Sequence, residues 1–356
     1  MNDPRKKWFR LAALSFFPLI FLLAEGALRV RRAMKPAPPA VVSVHTEPDP
    51  RLGYRLKKGM SSRNGGNYVN ADGLRGDDSH LAVSPGSPRI LVVGNSCVFG
   101  MGAPDSAVFE VVLERRLRAS GYDSAIVFNA GVGGYNSNQC REYLERDLWK
   151  FKPDLVILYL GWNDMVTATW PFYLPGLQLG PELYRPSTGF WPSLLKFLNQ
   201  SLVFWHAKAR VEAWMIRYGR ADRGIDAWNE EWIGNFRTNM DSMVRAAEQR
   251  GVKIRLCLLP YDHGRYPKYY ADNAFHYTSE GYRKLVNRFQ EEIRGASRER
   301  PVIDLSQAIA GVEHDTDVIY DYNHLAPEGH RRVAETMLEA VACAINAADS
   351  KSKNCP

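Results

Sequence analysis

Five short apolar runs, each followed by a stretch of helical period, restrict this chain to a parallel sheet covered on both faces. The runs are Ile90 to Val93, Ala125 to Asn129, Pro153 to Leu160, Val252 to Leu259 and Val302 to Leu305. They are continuous rather than alternating, the pattern of strands buried on both sides. Helical spacing fills Ala107 to Ser120, Asn138 to Phe151, Asp226 to Arg250, Thr278 to Arg294 and about Pro327 to Ala347. Gly121 and Gly251 end two of these stretches, and Pro327 suits a first helical position. Strand and helix in this alternation predict an α/β fold with right-handed crossovers.

The rhythm breaks once. Residues 165–225, after the third strand, form an insertion rich in Trp, Tyr and Phe, among them Trp170, Tyr184, Trp191 and Trp214. A connection of this length at a sheet edge suits a lid or a substrate-binding element, or a small helical subdomain with its aromatics inside.

Before the first strand the chain reads as three pieces. Residues 1–30 hold a cluster of cations and then the apolar run Leu11 to Ala24, interrupted only by Ser15 and Pro18. This reads as an uncleaved N-terminal membrane anchor, with a cleaved signal peptide and a core helix as the other readings. Either export reading places the rest of the protein outside the cytoplasm. Residues 31–50 are a Pro-rich spacer, and residues 51–87 are a lead-in of turns and short strands to which we assign no chemistry. The main domain is expected over 88–348, with 349–356 as a tail.

The formal charge of +7 invites a nucleic-acid partner, but its placement argues against one. Eight basic residues fall in the first 35 positions against Asp3 and Glu25, which leaves the remaining 321 residues at +1. No basic stripe with interleaved aromatics occurs, so nucleic-acid binding is disfavoured. Five cysteines without a C-x-x-C pair make neither a metal site nor a disulfide framework. Cys97 and Cys257 read as buried thiols, and Cys343 and Cys355 as a pair only if the compartment is oxidising. The carboxylates and histidines lack metal-ligand spacing, so no cofactor or metal is expected.

Chemistry is offered at the ends of the predicted strands. Ser96 follows Gly94 on the loop leaving the first strand, the edge at which open α/β sheets bind ligands. A serine hydroxyl needs an adjacent base, a group orienting that base and donors for a developing oxyanion. His324, in Asp321-Tyr-Asn-His324, is the candidate base, with Asp321 spaced to reach its Nδ1. The candidate oxyanion donors are the backbone N–H groups of Ser96 and Gly134 and the side-chain amide of Asn163.

Gly94-Asn-Ser96, Asn129-Ala-Gly-Val-Gly-Gly134, Gly161-Trp-Asn-Asp164 and Asp321-Tyr-Asn-His324, followed by Leu325-Ala-Pro-Glu-Gly329, stand in the order of four motif blocks. In them the chain resembles the SGNH (GDSL-type) hydrolase superfamily over roughly residues 88–345, as a membrane-anchored bacterial member. The resemblance implies a flavodoxin-like three-layer fold, with catalytic Ser96, His324 and Asp321 and an oxyanion hole of Ser96, Gly134 and Asn163. It also implies an ester substrate, an acylated glycan, a lipid or a small ester, cleaved through an acyl-enzyme. Asn95 stands where the family usually has Asp, which removes a charge near the site. Two other functions use the same residues differently: an O-acyltransferase modifying an envelope polysaccharide, and a catalytically silent binding or scaffold domain.

Overall fold

The computed structural model describes residues 4–34, 46–61, 68–78, 86–169, 230–261, 279–312, 315–319 and 323–346, together with positions 201, 203, 204, 207, 210 and 228. Two compact units emerge. The first comprises residues 1–43, 174–177 and 185–222, and the second comprises 44–173, 178–184 and 223–356.

In the first unit, α1 (Pro4–Met34) extends well past the apolar run of the sequence and contains Pro18. Glu25 accepts bonds from Ser201 Oγ and Val203 N, and it pairs with Arg29 one turn on. Among the described residues, which leave out the side chains of residues 4–15, 17, 32 and 33, no helix is long and apolar enough to cross a membrane. The membrane span expected over residues 1–30 is therefore not shown by the helix. Most of the aromatic insertion lies outside the described residues.

The second unit begins with two hairpins. Strand β1 (Thr46–Asp49) pairs antiparallel with β2 (Gly53–Leu56), and β3 (Met60–Ser61) pairs with β4 (Tyr68–Val69). The spacer expected over 31–50 is therefore shorter at both ends, since α1 takes its first residues and β1 its last.

The sheet then follows the alternation of the sequence: β5 (Arg89–Gly94), α2 (Ser96–Phe99), α3 (Phe109–Ala119), β6 (Ile126–Gly131), α4 (Ser137–Tyr143), β7 (Leu155–Tyr159), α5 (Trp162–Thr169), α6 (Glu230–Gln249), β8 (Lys253–Leu258), α7 (Ser279–Ser297), β9 (Ile303–Asp304) and α8 (Pro327–Asn346). All five strands run parallel in the order β6-β5-β7-β8-β9. The first strand of the sheet lies between the second and the third, which is the flavodoxin-like order. Ile90, Leu91, Val92 and Val93 are fully buried, each side chain contributing roughly 1.5–3 kcal/mol of burial. Helix α3 packs on α8, while α4 packs on α6 and α6 on α7. Right-handed crossovers put these two groups on opposite faces.

The helix expected over Asn138 to Phe151 is not one helix. After Tyr143 it widens into a π turn over Leu144–Leu148 and then tightens into a 3-10 turn over Trp149–Phe151. Gly161-Trp-Asn-Asp164, read as a strand-end loop, instead opens α5. Cys97, Cys140 and Cys257 are free and buried. Cys343 is disulfide-bonded, while Cys355, its expected partner, lies outside the described residues.

Candidate active site

The order of the strands places the chemistry. Chain leaving the carboxyl ends of β5, β6 and β7 meets at the point where the strand order reverses, where sheets of this kind bind ligands. Two glycines bring the backbones close enough. A Cβ at Gly94 would lie 2.2 Å from the Tyr159 carbonyl oxygen, and one at Gly131 would lie 2.1 Å from the Phe99 nitrogen. A larger residue at Gly131 would push α2 off the sheet, and one at Gly94 would meet the β7 backbone as well as Val98 of α2.

Asn95 caps α2, its Oδ1 accepting the Cys97 N–H at 3.0 Å. Asparagine thus supplies the acceptor that the usual aspartate would supply. Its Nδ2 is buried and has no hydrogen-bond partner among the described residues, which costs desolvation free energy. Ser96 follows at the first helical position and is 7% exposed.

His324 arrives from the opposite end of the chain. The loop carrying it is closed by a bridge between Ile319 and Leu325 and by Ala326 N donating to Val318 O at 3.0 Å. Gly329 lets α8 start against this loop, since a Cβ there would lie 2.0 Å from Val318 O. Cys97 Sγ donates to Asn323 O at 3.2 Å and so ties the serine turn to the histidine loop. His324 Nε2 then sits 2.8 Å from Ser96 Oγ. With the ring proton on Nδ1, Nε2 accepts the serine hydroxyl proton. Asp321, the expected partner of Nδ1, lies outside the described residues.

Asn163 and Asp164 both grip the loop that leaves β6. Asn163 Nδ2 donates to Tyr135 O at 2.9 Å, which uses one of its two amide hydrogens. Asp164 accepts Ser137 Oγ at 2.6 Å and Ser137 N at 3.0 Å, capping α4. Between them, Gly134 has φ of 85°, a conformation that favours glycine. Neighbouring Gly133 faces the serine, since a Cβ on it would lie 4.0 Å from Ser96 Cβ. Among the described residues, neither the Ser96 nor the Gly134 N–H donates to another group.

Burial pushes the Asp164 carboxyl up to about 7, the bonds from Ser137 opposing the shift. Its folded value lies above its unfolded value, so the native state holds a proton that the unfolded chain has released. Stability is then lost as pH rises from the ordinary carboxyl value of about 4 to about 7 and is level above that. Asp164→Asn keeps an acceptor for Ser137 but does not titrate. Urea unfolding at about pH 5 and about pH 8 is expected to show wild type losing ground to the variant at the higher pH, by on the order of 3 kcal/mol or less. A constant difference between the two proteins would contradict this.

The sequence reading missed the contribution of residues 51–87. Arg75, 2% exposed, donates to the carbonyl oxygens of Phe99, Gly100 and Ala103 and pairs with Asp105 at 2.9 Å. The β1–β2 hairpin docks on the loop leaving β6, with Tyr54 Oη donating to Gly133 O, Tyr135 Oη to Tyr54 O and Gln139 Nε2 to Leu52 O. An arginine flanked by Leu74 and Gly76, or a tyrosine after Gly53, carries no local signal that sets it apart. Among the described residues, no group of three or more His, Cys, Asp or Glu is placed to hold a metal ion.

A histidine within hydrogen-bond reach of a serine at the switch point of a parallel sheet is an arrangement suited to hydrolase chemistry on an α/β fold. The chain belongs to the GDSL-like lipase/acylhydrolase family, which it matches over residues 92–332. A curated relative, the esterase TesA of Pseudomonas aeruginosa, is 33% identical over 94 residues, which are 26% of this chain and 46% of the relative. The chain thus spans about half the length of that relative. Among solved structures, a lipase/acylhydrolase from Enterococcus faecalis is 18% identical with a TM-score of 0.43, covering 70% of this chain and 93% of that one. The acetylxylan esterase Axe2 of Geobacillus stearothermophilus is 14% identical with a TM-score of 0.41, covering 70% and 92%. At these scores the two structures add nothing to the family assignment.

Proposed function

We propose that this protein is a serine esterase that works through an acyl-enzyme. The observation that carries the reading is the 2.8 Å approach of His324 Nε2 to Ser96 Oγ. Ser96 Oγ attacks the ester carbonyl carbon while Nε2 takes its proton, and Asp321 steadies the imidazolium. The Ser96 and Gly134 N–H groups and the Asn163 amide hold the oxyanion. The tetrahedral intermediate collapses, the alcohol leaves with the proton from Nε2, and water then repeats the sequence to release the acid.

The test needs no knowledge of the substrate. A fluorophosphonate probe is expected to label Ser96 in the wild type, located by peptide mass spectrometry, and to leave Ser96→Ala and His324→Ala unlabelled. A folded wild type that takes no label would instead make this chain a silent scaffold.

The reading extends to location, with the catalytic unit outside the cytoplasm and α1 as its tether. In its support, the cations of residues 5–10 precede the apolar run, and Phe16, Leu19, Leu22, Leu23 and Val30 of α1 are exposed. So much apolar side chain in water is unfavourable. The full chain is expected in the membrane fraction of cells, and a chain lacking residues 1–34 in the supernatant. Equal partition of the two would refute the tether.

A further inference from the structure

Residues 132–135 form a reverse turn in which Tyr135 N donates to Val132 O at 3.2 Å. Its third residue, Gly134, has φ of 85° while Gly133 is not in the left-handed region, the pattern of a type II turn. Type I and type II turns differ by a rotation of about half a circle of the central peptide, which changes ψ of the second residue and φ of the third together. Here the central peptide joins Gly133 to Gly134, and two glycines offer little steric resistance to that rotation. Something outside the turn has to choose its direction.

That peptide carries the Gly133 carbonyl at one end and the Gly134 N–H at the other. It is trans, so the two bonds point in opposite directions. Tyr54 Oη, from the β1–β2 hairpin, donates to this Gly133 carbonyl. The hairpin is itself held in place by Tyr135 Oη on Tyr54 O, by Gln139 Nε2 on Leu52 O at 2.7 Å, and by the Tyr54 and Tyr135 rings meeting edge to face at 5.3 Å.

We infer that Tyr54 is a positioning residue for the oxyanion hole: its hydroxyl holds the 133–134 peptide in the one orientation that aims the Gly134 N–H at the substrate. A hydrogen bond to the carbonyl of a peptide also polarises its N–H and strengthens it as a donor. The inference rests on the esterase reading, in which the Gly134 N–H is an oxyanion donor. It goes beyond that reading in making the hairpin ahead of the first sheet strand, outside the stretch matched to the family, part of what the reaction requires.

Tyr54→Phe keeps the ring against Tyr135 and removes only the donor. With p-nitrophenyl acetate, kcat and kcat/KM are expected to fall together by about tenfold or more with KM unchanged, as when an interaction made only in the transition state is lost. A trifluoromethyl ketone, whose carbonyl carbon takes up Ser96 Oγ to give a hemiketal oxyanion that mimics the intermediate while the serine proton passes to His324, should lose affinity by the same factor. Gln139→Met removes the bond to Leu52 O and the capping bond from Asn136 N to Gln139 Oε1 without touching the 133–134 peptide, and should lower the urea midpoint while leaving kcat within about twofold. Tyr54→Phe with wild-type kcat would overturn the inference. So would a Gln139→Met variant that loses as much kcat as Tyr54→Phe, since the hairpin would then act by docking alone. A wild type inert to both ester and fluorophosphonate would remove the esterase reading and this inference with it.

Discussion

Ser96→Ala is expected to lower kcat for an ester by about 10⁴–10⁶-fold while leaving KM within about threefold, because the nucleophile acts in the chemical step and adds little to substrate binding. His324→Ala should cost nearly as much. The double variant should cost scarcely more than either alone, since the two groups act as one unit across the 2.8 Å bond between Oγ and Nε2. Steady-state kinetics on the three proteins measures this directly. Losses that multiplied in the double variant would mean that serine and histidine act separately.

A second large effect falls on stability, and it separates glycines that look alike in sequence. Gly131→Ala is expected to destabilise the fold by about 3 kcal/mol or more, because its Cβ would meet backbone atoms of Val98 and Phe99 that cannot turn aside. Gly234→Ala, inside α6 with nothing within 4 Å of the new methyl, is expected to stabilise by about 0.5–1 kcal/mol. Urea unfolding of both variants against wild type decides it. A tolerated alanine at 131 would mean that α2 does not rest on β6 as described. At that position activity should fall along with stability, since α2 carries Ser96 at its first turn.

The polar network around the site is arranged so that each motif block braces another. Asn163 and Asp164 hold the loop of the second block, and Cys97 next to Ser96 holds the loop of His324. Rigid support of this kind is what fixes a reacting pair to within a fraction of an ångström. The buried Nδ2 of Asn95 is a donor that has no partner among the described residues.

Much of the fold was legible before any coordinates. The five apolar runs became β5 to β9 with ends shifted by a few residues, because continuous burial on both faces leaves a compositional trace on the strand itself. Ser96 and His324 were legible too, since each lies within a few residues of glycines or a proline that punctuate strand ends and helix starts. Gly94, Gly131 and Gly329 were visible as motif glycines, but the reason for each was not. Their partners Tyr159, Phe99 and Val318 belong to other segments, and a one-dimensional pattern does not record which backbones touch. The break of the helix over residues 144–151 was also hidden, as a π turn keeps the helical spacing of apolar residues almost intact.

Residue type and local period were enough to specify a parallel α/β sheet and to put a serine and a histidine near strand ends and helix starts, because these depend on short-range sterics and burial. The bond from Tyr54 to a carbonyl 79 residues away, the burial of Arg75 against the loop after α2 and the backbones that press on Gly94, Gly131 and Gly329 came from the packed chain alone. Contacts of that separation are set by which faces bury one another when the whole domain closes, and nothing in the residues nearby announces them.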